Sequence, residues 1–273
     1  MNIPNIIISR VPFLGRIAII QDREGSATKY PGGIGFHSKL TVTLVRNGKV
    51  IKQRDLGSGL VTNVGVTAMA NDSKWAAPSG ASVATLALAN QHVSGIGATA
   101  AAATDVTLVN TTGVPAAVAG TQSLVSAANS QKYRTVATVA YVSSLAITEW
   151  GLFTDTNLSD ATGSPFTATT STSGTATATP YTASSATVKG KQQFILVPAT
   201  TLVYGLIASN TTSVLTIPAW YNVSNGAAGA TPGSTEAFTI KPVLWDRKQF
   251  AAINVVNGDS IQFTYDLTVT SGG

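Results

Sequence analysis

With 273 residues, 44% of them hydrophobic, the chain is long enough for one large β-domain or two modest ones with a sizeable core. Only 11% of its residues are charged, against about 25% in an ordinary soluble domain, so its surface is hydroxyl, amide and backbone, or is covered by neighbours in an assembly. The absence of cysteine excludes disulfides, thiolate metal sites and thiol nucleophiles together, and no run of about 18 apolar residues offers a membrane-spanning helix.

Residues 1 to 58 form the first region. Its opening, MNIPNIIISRVPFLGR, breaks an apolar stretch with Pro4, Arg10 and Pro12, so no cleaved leader is expected. An irregular arm, a strand near Gly15 to Gln21 and a Gly-rich turn at YPGGIGF precede TLVRNGKVIKQRDLG, where Asn47-Gly48 between alternating residues predicts a β-hairpin. Neither PGGIGF nor VKGKQQF has the glycine spacing of a phosphate loop. The net charge of +5 is concentrated here: residues 1 to 55 hold nine Lys or Arg against three acids. Arg46, Lys49, Lys52 and Arg54 on the hairpin are candidates for docking on an acidic protein surface; the plainer reading is a solvated face. Nucleic acid is not an expected partner, because no aromatics are interleaved with these cations.

The remainder, 59 to 273, reads as a β-rich body. GLVTNVGVTAMANDSKW places Val61, Val64 and Met69 on one helical stripe and predicts one short helix, followed by a strand in ASVATLALANQ. From Gly95 to Gln122 the composition is Ala, Thr, Val and Gly with Asp105 the one charge, which predicts extended loop and short edge strands laid over a neighbour. YRTVATVAYVSSLAITEWGLF predicts two strands joined at Ser143-Ser144. A Ser/Thr/Ala-rich insert at about 154–190 and a β-rich insert at about 191–243 come next. The end, GDSIQFTYDLTVTSGG, alternates: Ile261, Phe263, Tyr265, Leu267 and Val269 share one face. The fold expected is all-β, a mainly antiparallel β-sandwich or jelly-roll-like body.

Few residues carry candidate chemistry. Glu149, between an apolar run and Trp150, could pair with Asp155, Asp246, Asp259 or Asp266 as the acid couple of a glycosidase. The favoured reading is a buried structural acid that accepts hydrogen bonds from backbone amides or from Arg247. The two histidines, His37 and His92, have no acid placed as a recognisable partner, and neither a GxSxG elbow nor an HxxxH pair is present. No cofactor or metal is therefore expected. Trp220 and Tyr221, in AWYN, are the best candidates for a glycan contact, although aromatics in strands more often serve a core or an interface.

The order LVTNVGVTAMAND, AAAATDVTLV, YRTVATVAY, AITEWGLF, then LWDRKQF and GDSIQFTYDLTVTSGG resembles a family of tailed-bacteriophage virion proteins, and the E-x-G-L-F element resembles a module of phage tail-collar and tail-fibre proteins. The matching pieces cover about a third of the chain. About 90 residues separate LFTD from LWDR, where the family pattern has a shorter connection. The resemblance implies a structural virion component, assembled in the host bacterial cytoplasm. The expectation is a homotrimeric capsid decoration or cement protein bound to the major capsid protein, with a tail-fibre or tail-collar protein and a carbohydrate-binding receptor module as alternatives.

Overall fold

The computed structural model describes residues 34–72, 88–127, 130–156, 161–166, 174–177, 193–197, 202–207, 209–210, 214–232 and 236–271. The predicted strand near Gly15 to Gln21, the first four residues of the YPGGIGF turn, Trp75, most of ASVATLALANQ and much of the Ser/Thr/Ala-rich insert lie outside these residues, and the last three residues of YPGGIGF, Ile34 to Phe36, are strand rather than turn. The fold is all-β and sandwich-like, with every strand pair antiparallel among the described residues.

The first sandwich is built from two five-stranded sheets. Sheet one contains β1 (Ile34–Arg46), β2 (Lys49–Asp55), β6 (Thr121–Ala127), β7 (Ser130–Ala140) and β18 (Ser260–Ser271) in the order β2-β1-β18-β7-β6. Sheet two contains β3 (Leu60–Val61), β4 (Gln91–Gly95), β5 (Val118–Ala119), β8 (Leu145–Phe153) and β17 (Leu244–Val255) in the order β3-β17-β8-β4-β5. Alternation explains how they meet. Leu40, Val42 and Leu44 of β1, with Ile261, Phe263, Tyr265 and Leu267 of β18, close over Ile147, Trp150, Trp245 and Ile253 of the facing sheet. The hairpin turns as the sequence requires: Asn47 and Gly48 have φ of 50° and 73°, the left-handed pair of a two-residue turn.

The expected boundary at residue 58 does not separate a unit. β1 pairs with β18 along its length, from Ile34 opposite Ser271 to Val45 opposite Ser260, so the basic hairpin is the edge of the first sandwich. A boundary does fall between β8 and β17. These strands are neighbours, Phe153 opposite Leu244, and the chain between them leaves and rejoins at one place, fixed by Thr154 N–H to Val243 O at 3.2 Å. The intervening residues build a second, smaller sandwich. One sheet holds β9 (Ala161–Phe166), β11 (Gln193–Val197), β12 (Val203–Leu206), β15 (Tyr221–Asn222) and β16 (Glu236–Pro242) in the order β15-β12-β11-β16-β9. The other holds β10 (Gly174–Thr177), β13 (Ser209–Asn210) and β14 (Val214–Ile217). Ile195, Val197, Val203, Leu215, Ile217, Trp220, Phe238 and Ile240 fill its interior.

The predicted helix, α1 (Asn63–Asp72), joins the two sandwiches. Thr62 caps it, its Oγ1 accepting the Gly65 N–H at 3.1 Å. Val64 and Ala68 of its inner face then pack on Phe194, Leu196, Tyr204 and Leu206 of the smaller sandwich. The Tyr204 hydroxyl meets Thr67 Oγ1 at 2.9 Å, so packing and polar contact together hold the insert to the helix.

Candidate functional site

The outer face of sheet two carries the densest polar cluster. Glu149 on β8 and Arg247 on β17 are diagonal neighbours on that face, both fully buried, because the loop from residue 96 to 117 lies over them. Arg247 donates from Nε at 3.1 Å and Nη2 at 2.8 Å to Glu149 Oε2. Its Nη1 reaches Asp105 Oδ2 at 2.5 Å, and Nη2 also donates to the Thr99 carbonyl at 2.9 Å. Glu149 Oε1 accepts the Gly97 and Asn110 amides, each at 2.9 Å, and Oε2 accepts the Val109 amide at 3.2 Å. A β-carbon on Gly97 would stand 2.3 Å from Oε1, which is why glycine sits there.

The arrangement is a lock. A buried pair of charges is tolerated when every lone pair and N–H is used, and here those groups pin an otherwise unstructured loop to the sheet. None of the four acids considered as a second carboxylate joins Glu149. Asp246 is next to Arg247 in an extended strand and so leaves the opposite face. Asp259 is ion-paired with Arg46, Asp266 with Arg134, and Asp155 bonds its own neighbour, the Thr156 amide, at 2.7 Å. Asp105 is the partner that sequence reasoning passed over. It had one signal, being the lone charge between Gly95 and Gln122.

His92 is fully buried beneath Trp150, whose Nε1–H donates to Nδ1 at 3.1 Å. The ring proton is thereby placed on Nε2, which faces Thr135 Oγ1 at 3.1 Å. Burial pulls the imidazole down to about 3, so it is neutral and held among aromatic rings. His37 is exposed on β1. Asp246 is the outlier. Burial pushes its carboxyl up to about 7, against the opposing influence of Tyr265, Ser38, Lys248 and the Leu60 amide, and none of these groups is aligned for a hydrogen bond to either oxygen. Among the described residues no group of three or more His, Asp or Glu could hold a metal ion, and no helix is long and apolar enough to cross a membrane.

The four hairpin cations divide in two. Arg46 is spent within the molecule, bonding both Asp259 oxygens at 2.8 and 2.7 Å, and Arg54 donates to the Ala251 carbonyl at 2.9 Å. Lys49 and Lys52 are exposed on β2 and are in no ion pair among the described residues. The glycan reading of Trp220 requires correction: its indole is 4% exposed within the interior of the second sandwich, so no sugar can stack on it. Tyr221 is half-buried and stacked on Tyr204 at 5.6 Å between ring centres.

Comparison with protein families, with curated proteins and with solved structures finds no match to this chain.

Proposed function

We propose that the chain is a structural component of a tailed-bacteriophage virion, most specifically a capsid decoration or cement protein. The observation that carries this reading is the division of the charges. The acids that sheet one and the Arg247 cluster use are paired within the molecule, whereas Lys49 and Lys52 have no ion-pair partner among the described residues and stand on an edge strand whose residues are exposed on both faces, apart from half-buried Arg54. An acidic lattice surface, such as that of a major capsid protein, is the complement of that edge. Arg46 and Arg54 shape the hairpin from within.

Self-association is part of the proposal. Strand β6, at the other edge of sheet one, has no charge, and its Leu124 is 69% exposed. Long uncharged edges favour pairing with another chain, which supports a homo-oligomer, with a trimer as the expected form. The ITEWGLF likeness also supports a tail-fibre or tail-collar position within the same structural class.

The test is binding of the purified chain to empty heads of the phage that encodes it. Lys49→Glu with Lys52→Glu is expected to weaken binding strongly at low salt and little at high salt, since contacts between exposed charges are screened beyond about 8–10 Å at physiological ionic strength. Docking indifferent to both salt and charge reversal would contradict the electrostatic reading.

A further inference from the structure

The hairpin tip does not stand alone. The strand directions bring three turns to one end of the first sandwich: Asn47-Gly48 between β1 and β2, residues 141–144 between β7 and β8, and residues 256–259 between β17 and β18. They are tied to one another. Arg46 grips Asp259, the Tyr141 amide donates to the Asp259 carbonyl at 2.8 Å, the Gly258 amide to the Tyr141 carbonyl at 2.9 Å, and the Val256 amide to Asp259 Oδ2 at 2.9 Å. The second sandwich is attached at the opposite end of β8 and β17, beyond Phe153 and Leu244, so its junction is remote from the turns.

This fixed end carries unusual side chains. Val142 is 82% exposed, Val50 65%, Ile51 54% and Val256 40%, four of the nine large apolar side chains exposed among the described residues. The register Val50–Val45–Ser260–Ala140 runs straight across four strands. At about 4.8 Å per strand the row is on the order of 15 Å wide, the scale of the centre of a protein contact. Lys49 and Lys52 border it, and the one acid of these turns, Asp259, is neutralised by Arg46 and buried.

We propose that the docking surface is this whole turn end, an apolar contact of Val50, Ile51, Val142 and Val256 rimmed by Lys49 and Lys52, and that its partner is an acidic protein surface. The proposal rests on the virion reading and deepens it by replacing a charged hairpin with a three-turn face. Unpaired cations around an apolar centre select an acidic rim around an apolar depression. A lipid surface is less well matched, because the four side chains are Val and Ile and include none of the Trp or Tyr that anchor proteins at membrane interfaces. Arg46 is a positioning residue: it aligns the hairpin with the other turns.

The test uses the full chain and empty heads of the encoding phage, with co-sedimentation at low and high salt. Val142→Asp with Val256→Asp changes exposed positions, so the melting temperature and solution mass should match those of the unaltered chain. Binding is expected to fall by about tenfold or more at both salt concentrations, because an apolar contact is lost that salt does not screen. Lys49→Glu with Lys52→Glu should instead lose binding mainly at low salt. Unweakened binding by the aspartate pair would overturn the three-turn face and leave the virion reading intact. Failure of the unaltered chain to bind heads at any salt would overturn the capsid-decoration reading and this proposal with it. Binding to vesicles of phosphatidylcholine and phosphatidylserine that the aspartate pair abolishes, with binding to heads unchanged, would assign the end to a membrane and contradict the proposal.

Discussion

The two sandwiches solve the same problem with different materials. The first closes a large aromatic core and then fixes loops and edges with buried or half-buried ion pairs: Arg247 with Glu149 and Asp105, Arg134 with Asp266, Arg46 with Asp259. The second has one charged side chain between residues 192 and 240, Glu236, and relies on strands such as β12 that are buried throughout. Polar locks confer geometry, while apolar strands confer only burial. The first sandwich therefore suits the presentation of a fixed surface. The second, spliced between two neighbouring strands, can be read as an addition to it.

The largest expected effect breaks the lock. Arg247→Ala leaves Glu149 buried without its cation and should cost about 3–5 kcal/mol, read by chemical denaturation as an earlier loss of tryptophan signal from Trp150 and Trp245. A double-mutant cycle with Glu149→Gln should recover part of that cost if the pair acts as a unit. In the second sandwich, Ile240→Ala should cost about 2–4 kcal/mol by leaving a cavity. Its denaturation midpoint should fall, because the side chains packed around Ile240 are apolar and cannot fill the space it leaves.

Smaller effects sharpen the contrast through pH. Asp246, held near 7 when folded, contributes most below the ordinary carboxylate pKa and loses that contribution as pH rises from about 4 to about 7. Asp246→Asn should therefore stabilise the chain at pH 8, by about 1–3 kcal/mol, and change little at pH 4. Asp266 behaves oppositely. Burial pushes its carboxyl up, but the hydrogen bond from Arg134 and the charges of Arg134 and Lys132 outweigh it and hold the group below its usual range. Asp259 is also lowered, chiefly by Arg46. Both contributions are full above about pH 4 and are lost as pH falls through the lowered values, so acid should loosen the first sandwich before the second. The smallest stability effect belongs to Lys49→Glu with Lys52→Glu, expected within about 0.5 kcal/mol of zero because surface substitutions away from contacts rarely exceed that.

The same contrast explains what the sequence made legible. In β18 alternation placed Ile261, Phe263, Tyr265, Leu267 and Val269 on one face; the first four are buried, and Val269, near the end of the strand, is half-buried. Asn47-Gly48 marked its turn because only a left-handed pair fits there. A lone acid in an apolar strand pointed to a structural role for Glu149 and to Arg247 as its partner, but Asp105 and the three loop amides depend on how residues 96–117 fold back, which no periodicity records. The supposed boundary at 58 failed because the partner of β1 lies more than 200 residues downstream. Trp220 stayed open between a glycan contact and a core position because the short strands of the insert carry no alternation: all four residues of β12 are buried, so no face can be read from them, and the indole lies in the core.

The most direct test is the solution mass of the purified chain by light scattering, alone and then with empty heads of the tailed phage proposed to encode it. The account predicts a stable trimer that joins the heads in high copy number. A monomer that leaves the mass of the heads unchanged would contradict it.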